Sequence, residues 1–297
     1  MNNNSSEILL PGLFENIPRD FLATLGLHDW LCDLFANHQP KISWSASSGN
    51  PSIHVSIPLP PNWAETIFDG IKSWQSLESN PFGLGKIEGI PAKKLRELLG
   101  DCKSSQRLVR FYSGISSQLI HEGTGRRSEL IIESASRSVL KGVDDIIRLT
   151  RNPVDLWGDL SGQSNRREVS NTSRWHPAEY QPAAYVATDP QHNKHQDRLG
   201  LNVLALFGTS SYPVVEIQGG RSTPGFRRIS KINEFSWPVW STPLSLDETR
   251  GLIHHPAIHQ EKTETRYLTS LGVHRVWRSR KFMPDGNNDF FSAASST

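Results

Sequence analysis

Paired arginines and a mixed basic run recur along this chain: Arg126-Arg127, Arg166-Arg167, Arg227-Arg228 and Arg278-Ser279-Arg280-Lys281. A guanidinium is a planar fork of donors that holds a phosphate bidentately, and several on one surface track a nucleic-acid backbone. Phe226, Trp277 and Phe282 stand beside these runs and carry rings on which bases could stack. The ordinary readings compete directly, since basic pairs also occur on solvated faces and aromatic rings in cores.

Imidazoles and carboxylates form two further groups. Asp189, His192 and His195 fall within seven residues and have the types that activate water around a divalent cation, the alternative of a metal-dependent nuclease. The same Asp-Pro-Gln-His-Asn-Lys-His run is also what an exposed turn looks like. His255 and His259 are spaced to share a helix face, with His254 adjacent, but Pro256 disfavours helix at His255 and no H-E-x-x-H is present. Gly83-Leu84-Gly85 and Gly219-Gly220 fit neither phosphate-loop pattern, and Ser113-Gly114 and Ser161-Gly162 lack the flanks of a nucleophile elbow. Cys32 and Cys102 are far apart and build neither a disulfide framework nor a thiolate zinc site. No catalytic motif or cofactor fingerprint emerges, and the chain reads as a binding protein more than as an enzyme.

Positioning these residues requires a scaffold, and the hydrophobic pattern supplies one. A helix is predicted over Arg19 to Ala36 from the three-to-four spacing of Phe21, Leu22, Leu25, Leu31, Leu34 and Phe35, with Gly26 marking close packing or a break at a cost of about 1 kcal/mol relative to Ala. Lys41–Trp44 and Ser52–Ile57 read as a hairpin around Ser-Gly-Asn-Pro. Helices are expected over Asn62–Ser76, over Ala92–Leu99 behind Pro91, and within Gln118–Arg148. Residues 158–194 are polar and proline-rich and read as an exposed connection. Beyond it, Leu199–Phe207 is a helix or buried strand, Tyr212–Ile217, Phe226–Ile229, Phe235–Trp240 and Val273–Phe282 are strands, and Ser245 caps a short helix to His254.

The expected class is therefore α+β, mixed helices with short antiparallel strands, without a Rossmann or TIM pattern. The expected division is 1–157 as an N-terminal helix-hairpin-helix region, 158–198 as a polar loop or linker and 199–297 as a C-terminal α+β region, or all three as one domain. A chain of 297 residues with 36% hydrophobic and 21% charged residues can bury a sizeable core. Its net charge of +2 is unevenly spread, with roughly +6 between Arg221 and Lys281. Two cysteines, an opening without a basic n-region, and the lack of an apolar run of about 18 residues predict a cytoplasmic protein with no membrane partner. Nine tryptophans, among them Trp175, Trp237 and Trp240, are expected mainly as buried anchors, the alternative being a Trp-rich surface that scaffolds a protein partner.

Several short stretches bear a resemblance. Leu9-Leu10-Pro11-Gly12-Leu13 followed by Phe21-Leu22-Ala23-Thr24-Leu25-Gly26-Leu27 looks like the start of CRISPR-associated proteins of the type I-G (formerly I-U) systems. Trp175-His176-Pro177-Ala178-Glu179-Tyr180, Ala187-Thr188-Asp189-Pro190, Leu201-Asn202-Val203-Leu204-Ala205, Phe235-Ser236-Trp237-Pro238-Val239-Trp240 and Trp277-Arg278-Ser279-Arg280 are similar to that group too. The resemblance is spread over most of the chain in short pieces. It implies a large-subunit-like component of a Cascade-type interference complex in antiviral defence, partnered by guide RNA, target DNA and other complex subunits. In such a complex base pairing reads sequence while protein side chains hold backbone. Arg126, Arg127, Arg166, Arg167, Arg227, Arg228, Arg278, Arg280 and Lys281 are then the expected nucleic-acid contacts, the 158–198 loop is a possible recognition element, and no catalytic residue is implied.

Overall fold

The computed structural model describes residues 6–78, 80–87, 90–101, 105–121, 124–133, 138–149, 151, 153–169, 173–179, 195–217, 220–261, 264–283 and 289–296. Its first strand, β1 (Ser6–Leu9), leads into helix α1 (Pro18–Leu34), which begins on a proline whose missing N–H is no loss in a first turn. Every residue of α1 from Pro18 to Leu31 is buried, so the helix runs through the interior. Strands β2 (Lys41–Trp44) and β3 (Pro51–Val55) form the expected hairpin, and β1 adds to it in the order β1-β3-β2.

Helices α2 (Trp63–Ser73), α3 (Ala92–Asp101) and α4 (Gln106–Ile115) follow. The helical stretch expected within Gln118–Arg148 is α5 (Val139–Ile147), and ahead of it Ser116–His121 (β4) and Thr124–Arg127 (β5) pair as strands. The segment read as a polar connection is built in where it is described. Leu156–Ser161 is helix α6, Arg167–Val169 (β6) pairs with His195–Asp197 (β7), and Trp175 is fully buried with its Nε1 donating to Leu130 O at 2.6 Å.

Leu199–Gly208 is a helix, α7, buried along its whole length, which resolves the choice between helix and strand. It packs against α1 with the backbones in contact. A Cβ on Gly26 would overlap Leu204 O, and one on Gly208 would overlap Leu22 O, so each helix needs its glycine facing the other. Gly26 thus marks close packing and breaks nothing. The remaining elements are β8 (Val215–Ile217), β9 (Gly220–Ser222), β10 (Phe226–Ile229), β11 (Ile232–Trp240), α8 (Leu246–Ile253), α9 (Thr265–Ser270), β12 (Val273–Phe282), β13 (Phe290–Phe291) and β14 (Ser295–Ser296). The antiparallel path β10-β11-β12-β13 makes the largest sheet, with β14 also on β12. Pro238 is tolerated inside β11 because β10 has ended before it, leaving that side without a ladder. The class is α+β, as expected, and no helix among the described residues is long and apolar enough to cross a membrane.

One buried apolar cluster extends from Leu10 to Phe291 and draws on both expected halves. Its centre is aromatic: Phe207 of α7 lies 5.0 Å from Trp74, 5.3 Å from Trp30 and 5.3 Å from Phe111, ring centre to ring centre. Phe21 connects this helical layer to the sheet through Trp237 at 5.9 Å. Trp30, Trp44, Trp175, Trp237 and Trp240 are fully buried, so most of the tryptophans are anchors, while Trp157 is 38% exposed.

Two ionic knots tie helices through the core. Arg19 bridges Asp20 at 2.6 Å and also pairs with Asp197, whose second oxygen accepts from Asn202 at 3.0 Å. Burial alone would lower the pKa of Arg19, but Asp20 and Asp197 outweigh it and raise it, and the same partnership holds Asp197 below its ordinary range despite burial. In the other knot Asp29 of α1 collects Arg110 at 3.1 Å, Arg250 at 2.9 Å and Arg107 at 3.4 Å, joining α1 to α4 and α8. Arg107 also lies 3.9 Å over the Trp30 ring.

Candidate nucleic-acid interface

The hairpin β10–β11 turns on Ser230 and Lys231, with Ser230 in the left-handed region at φ 57. Antiparallel register then does the positioning. Arg227 on β10 stands opposite Glu234 on β11, and Glu234 stands opposite Arg280 on β12. Period-two alternation puts Arg278 on the same face as Arg280. Three guanidiniums therefore converge on one carboxylate: Arg227 Nη2 at 2.6 Å, Arg280 Nε at 3.1 Å and Arg278 Nη1 at 3.7 Å. Burial raises the pKa of a carboxyl, but the hydrogen bonds from Arg227 and Arg280 outweigh it and hold Glu234 below the usual glutamate range.

The three arginines differ in what they can do. Arg278 is buried and donates to Gln260 O at 2.5 Å and Glu261 O at 3.2 Å, so it fastens the segment after α8 to the sheet. Burial, and then the charge of Arg227, depress its pKa. Arg227 is largely spent on Glu234, through two nitrogens. Arg280 is 60% exposed and uses only its side-chain Nε within the protein, so its two terminal nitrogens project from the face with no protein partner among the described residues. Arg228 alternates to the opposite face from Arg227 but is exposed at the hairpin tip, its Nε donating to Ser230 O at 3.3 Å, with exposed Lys231 beside it.

Not every sequence candidate joins this face. Lys281 points to the other side of the sheet, where Nζ donates to Glu129 O at 2.9 Å and pairs with Asp289 at 3.3 Å, and burial depresses its pKa. Its role is to bind the sheet to the 128–133 segment. Arg127 is half-buried and donates to Glu133 O at 3.1 Å. Arg126 lies in β5 opposite Ser117, and its side chain is outside the described residues. Arg166 is exposed ahead of β6, and Arg167 donates to Pro153 O at 2.9 Å, so this pair belongs to the β6 neighbourhood. Phe226 is packed 5.1 Å from Phe235, Phe282 6.3 Å from Phe290, and Trp277 is half-buried. Glu234 and Lys231 were missed. The signal for Glu234 was present, as an acidic residue alternating with apolar ones between two arginine-bearing strands.

The histidines do not converge. His254 Nε2 meets Ser211 O at 2.8 Å, His259 Nε2 meets Ile253 O at 3.0 Å, and His255 receives Ala257 N–H and contacts the Tyr267 hydroxyl. Asp189 and His192 lie outside the described residues, as does the side chain of His195. Among the described residues no three His, Cys, Asp or Glu side chains could hold a metal ion. Burial pushes the Cys32 thiol up to about 12, which leaves it without nucleophilic character at neutral pH. Set against known protein families, curated proteins and solved structures, the chain matches none of them.

Proposed function

We propose that this chain is a non-catalytic nucleic-acid-binding protein that holds phosphates with Arg280 on the Glu234 face of β12 and with Arg228 and Lys231 at the tip of the β10–β11 hairpin. We further propose, from the resemblance, that it serves as a subunit of an RNA-guided interference complex, with guide RNA, target DNA and other complex subunits as partners. The observation that carries the first part is the ratio at Glu234, three guanidiniums to one carboxylate. Even with the charge of Glu261 on Arg278 counted, two acids face three cations, so this end of the sheet keeps an excess positive charge. Glu234 and the neighbouring arginines also fix Arg280 at its Nε, so its outer fork is presented with less conformational entropy left to lose on binding.

Association with a labelled duplex and with single-stranded RNA, followed by anisotropy across a salt series, tests this directly. Binding is expected to weaken steeply, with log affinity falling by about one unit per phosphate contact for each unit of log salt. Binding that is absent or indifferent to salt overturns the proposal. Co-purification of guide RNA with the assembled complex, lost on Arg228→Ala/Arg280→Ala, tests the second part.

A further inference from the structure

Strand β12 also reaches a second opening, on its other face. A groove of about 340 Å³ lies between residues 14–16, the 46–49 turn and the middle of β12, bordered by Phe14, Glu15, Ser47, Ser48, Arg275 and Trp277. That volume is at the small end of ligand sites, enough for one ring system with its sugar. Phe14 is 43% exposed, a large apolar ring left in water at the rim. Arg275 is 38% exposed, and its Cζ lies 5.4 Å from the Trp277 ring centre, so guanidinium and indole form a ledge. The Nε1 of Trp277 is sheltered and has no hydrogen-bond partner among the described residues.

Charge decides which ligand suits this groove. Arg275 is ion-paired with the buried carboxylate of Glu15, which His274 also approaches at 3.3 Å. Its charge is therefore cancelled locally, and what remains is a flat stacking surface bordered by hydroxyls. Ser47 and Ser48 are exposed on the turn; Ser48 Oγ accepts from Asn50 N at 3.4 Å and keeps its hydroxyl hydrogen to offer, while the Ser47 hydroxyl is 3.0 Å from Ser45 Oγ. A neutral, planar ring with polar edges fits such a surface better than a phosphate does.

We propose that the groove takes one unpaired base of a single-stranded nucleic acid, stacked on Arg275 and Phe14 with its edge bonded by Ser47 and Ser48. This rests on the preceding reading, because the same strand would carry the backbone past Arg280. Arg275 and Arg280 are five positions apart, about 17 Å, and alternation sets them on opposite faces of β12. A duplex lying on the Arg280 face does not reach the groove. A flexible single strand can round the edge of the sheet and occupy both.

The test is a titration of the full chain into an eight-nucleotide single strand carrying 2-aminopurine, whose fluorescence is quenched by stacking. Wild type is expected to quench it. Phe14→Ala and Ser47→Glu, both at exposed positions, should lose the quenching and weaken binding about 10-fold with unchanged melting temperature. Absent quenching in wild type, or both variants behaving as wild type, overturns the proposal. Arg228→Ala/Arg280→Ala separates the two readings. If that variant binds normally while the groove variants do not, the sheet reading fails and the groove stands. If the arginine variant loses binding while the groove variants keep both quenching and affinity, the groove fails alone.

Discussion

The molecule uses one device twice, three arginines around one acid, and the surroundings give it opposite meanings. At Asp29, Arg107 also meets Asp33 at 2.9 Å and Arg250 also meets Asp247 at 3.7 Å, so three cations face three anions and the knot is neutral. At Glu234 the charge of Glu261 also acts on buried Arg278, but Arg227 and Arg280 pair with no second acid side chain among the described residues, and the most exposed member, Arg280, faces water. The first knot joins three helices around Trp30. The second holds strands in register and leaves charge over. What separates a structural arginine from a presenting one is therefore the local ratio of acid to base and the exposure of the outer nitrogens, and neither is visible from an arginine pair in the sequence.

The largest way to break the comparison is to remove each central acid. Asp29→Ala leaves three guanidiniums, one of them buried against Trp30, facing each other without their shared acceptor, and is expected to lose about 3–5 kcal/mol of stability by urea denaturation. Glu234→Ala should lose less, about 1–3 kcal/mol, because Arg280 can turn into solvent. It should also bind polyanions more tightly and with a steeper salt dependence, since the remaining cations are uncompensated. Equal losses, or weaker polyanion binding by Glu234→Ala, would remove the distinction between the two knots.

Much of the scaffold was legible because its physics is local. The amphipathic runs, the Pro91 start, the Ser245 cap and the alternation of β12 all act within a few residues, and the α+β class follows from them. Gly26 is instructive: its helix-propensity penalty announced a reason, and only the facing Gly208 supplies it, 182 positions away, where Leu22 O and Leu204 O leave no room for a Cβ. The site was less legible for the same reason. Arg278 and Lys281 read as surface cations, yet register across β11 sends one onto carbonyls of the 260–261 segment and the other onto Glu129. Glu234 was passed over because a lone glutamate acquires meaning only when strand pairing places an arginine on either side.

Acid sharpens the contrast next. His28, beside Asp29, is fully buried, its Nε2 is 3.2 Å from Pro40 O, and burial lowers its pKa to about 4 despite Pro40 O and Asp29, with Arg250 adding to the depression. The unfolded chain takes up that proton near 6.5 and the folded one only near 4, so the unfolded state is favoured increasingly as pH falls through that window. The loss should approach about 3 kcal/mol and should shrink in His28→Gln, as read from denaturation midpoints at pH 7 and pH 4.5. Glu234 behaves otherwise. Its folded pKa lies below the unfolded 4.5, so its contribution is complete above that value and fades only as pH drops through the lower, folded one. Between about pH 6.5 and 4.5 the helical knot should loosen while the sheet face keeps its charge pattern, which makes Glu234→Gln nearly silent on the pH dependence there.

The smallest effect is the most discriminating. Arg280→Ala removes a side chain that is 60% exposed and shares Glu234 with two others, so its stability cost should stay below about 1 kcal/mol. Its salt slope for single-stranded RNA should nevertheless fall by about one unit, because one phosphate contact is lost. Arg250→Ala is the matched control, a 26% exposed arginine on the other knot. It removes a bond to buried Asp29 and should lower the denaturation midpoint more than Arg280→Ala does, while leaving the salt slope where it was. If both substitutions move the slope alike, binding follows overall net charge, and the arrangement of the three guanidiniums at Glu234 has no special part in it.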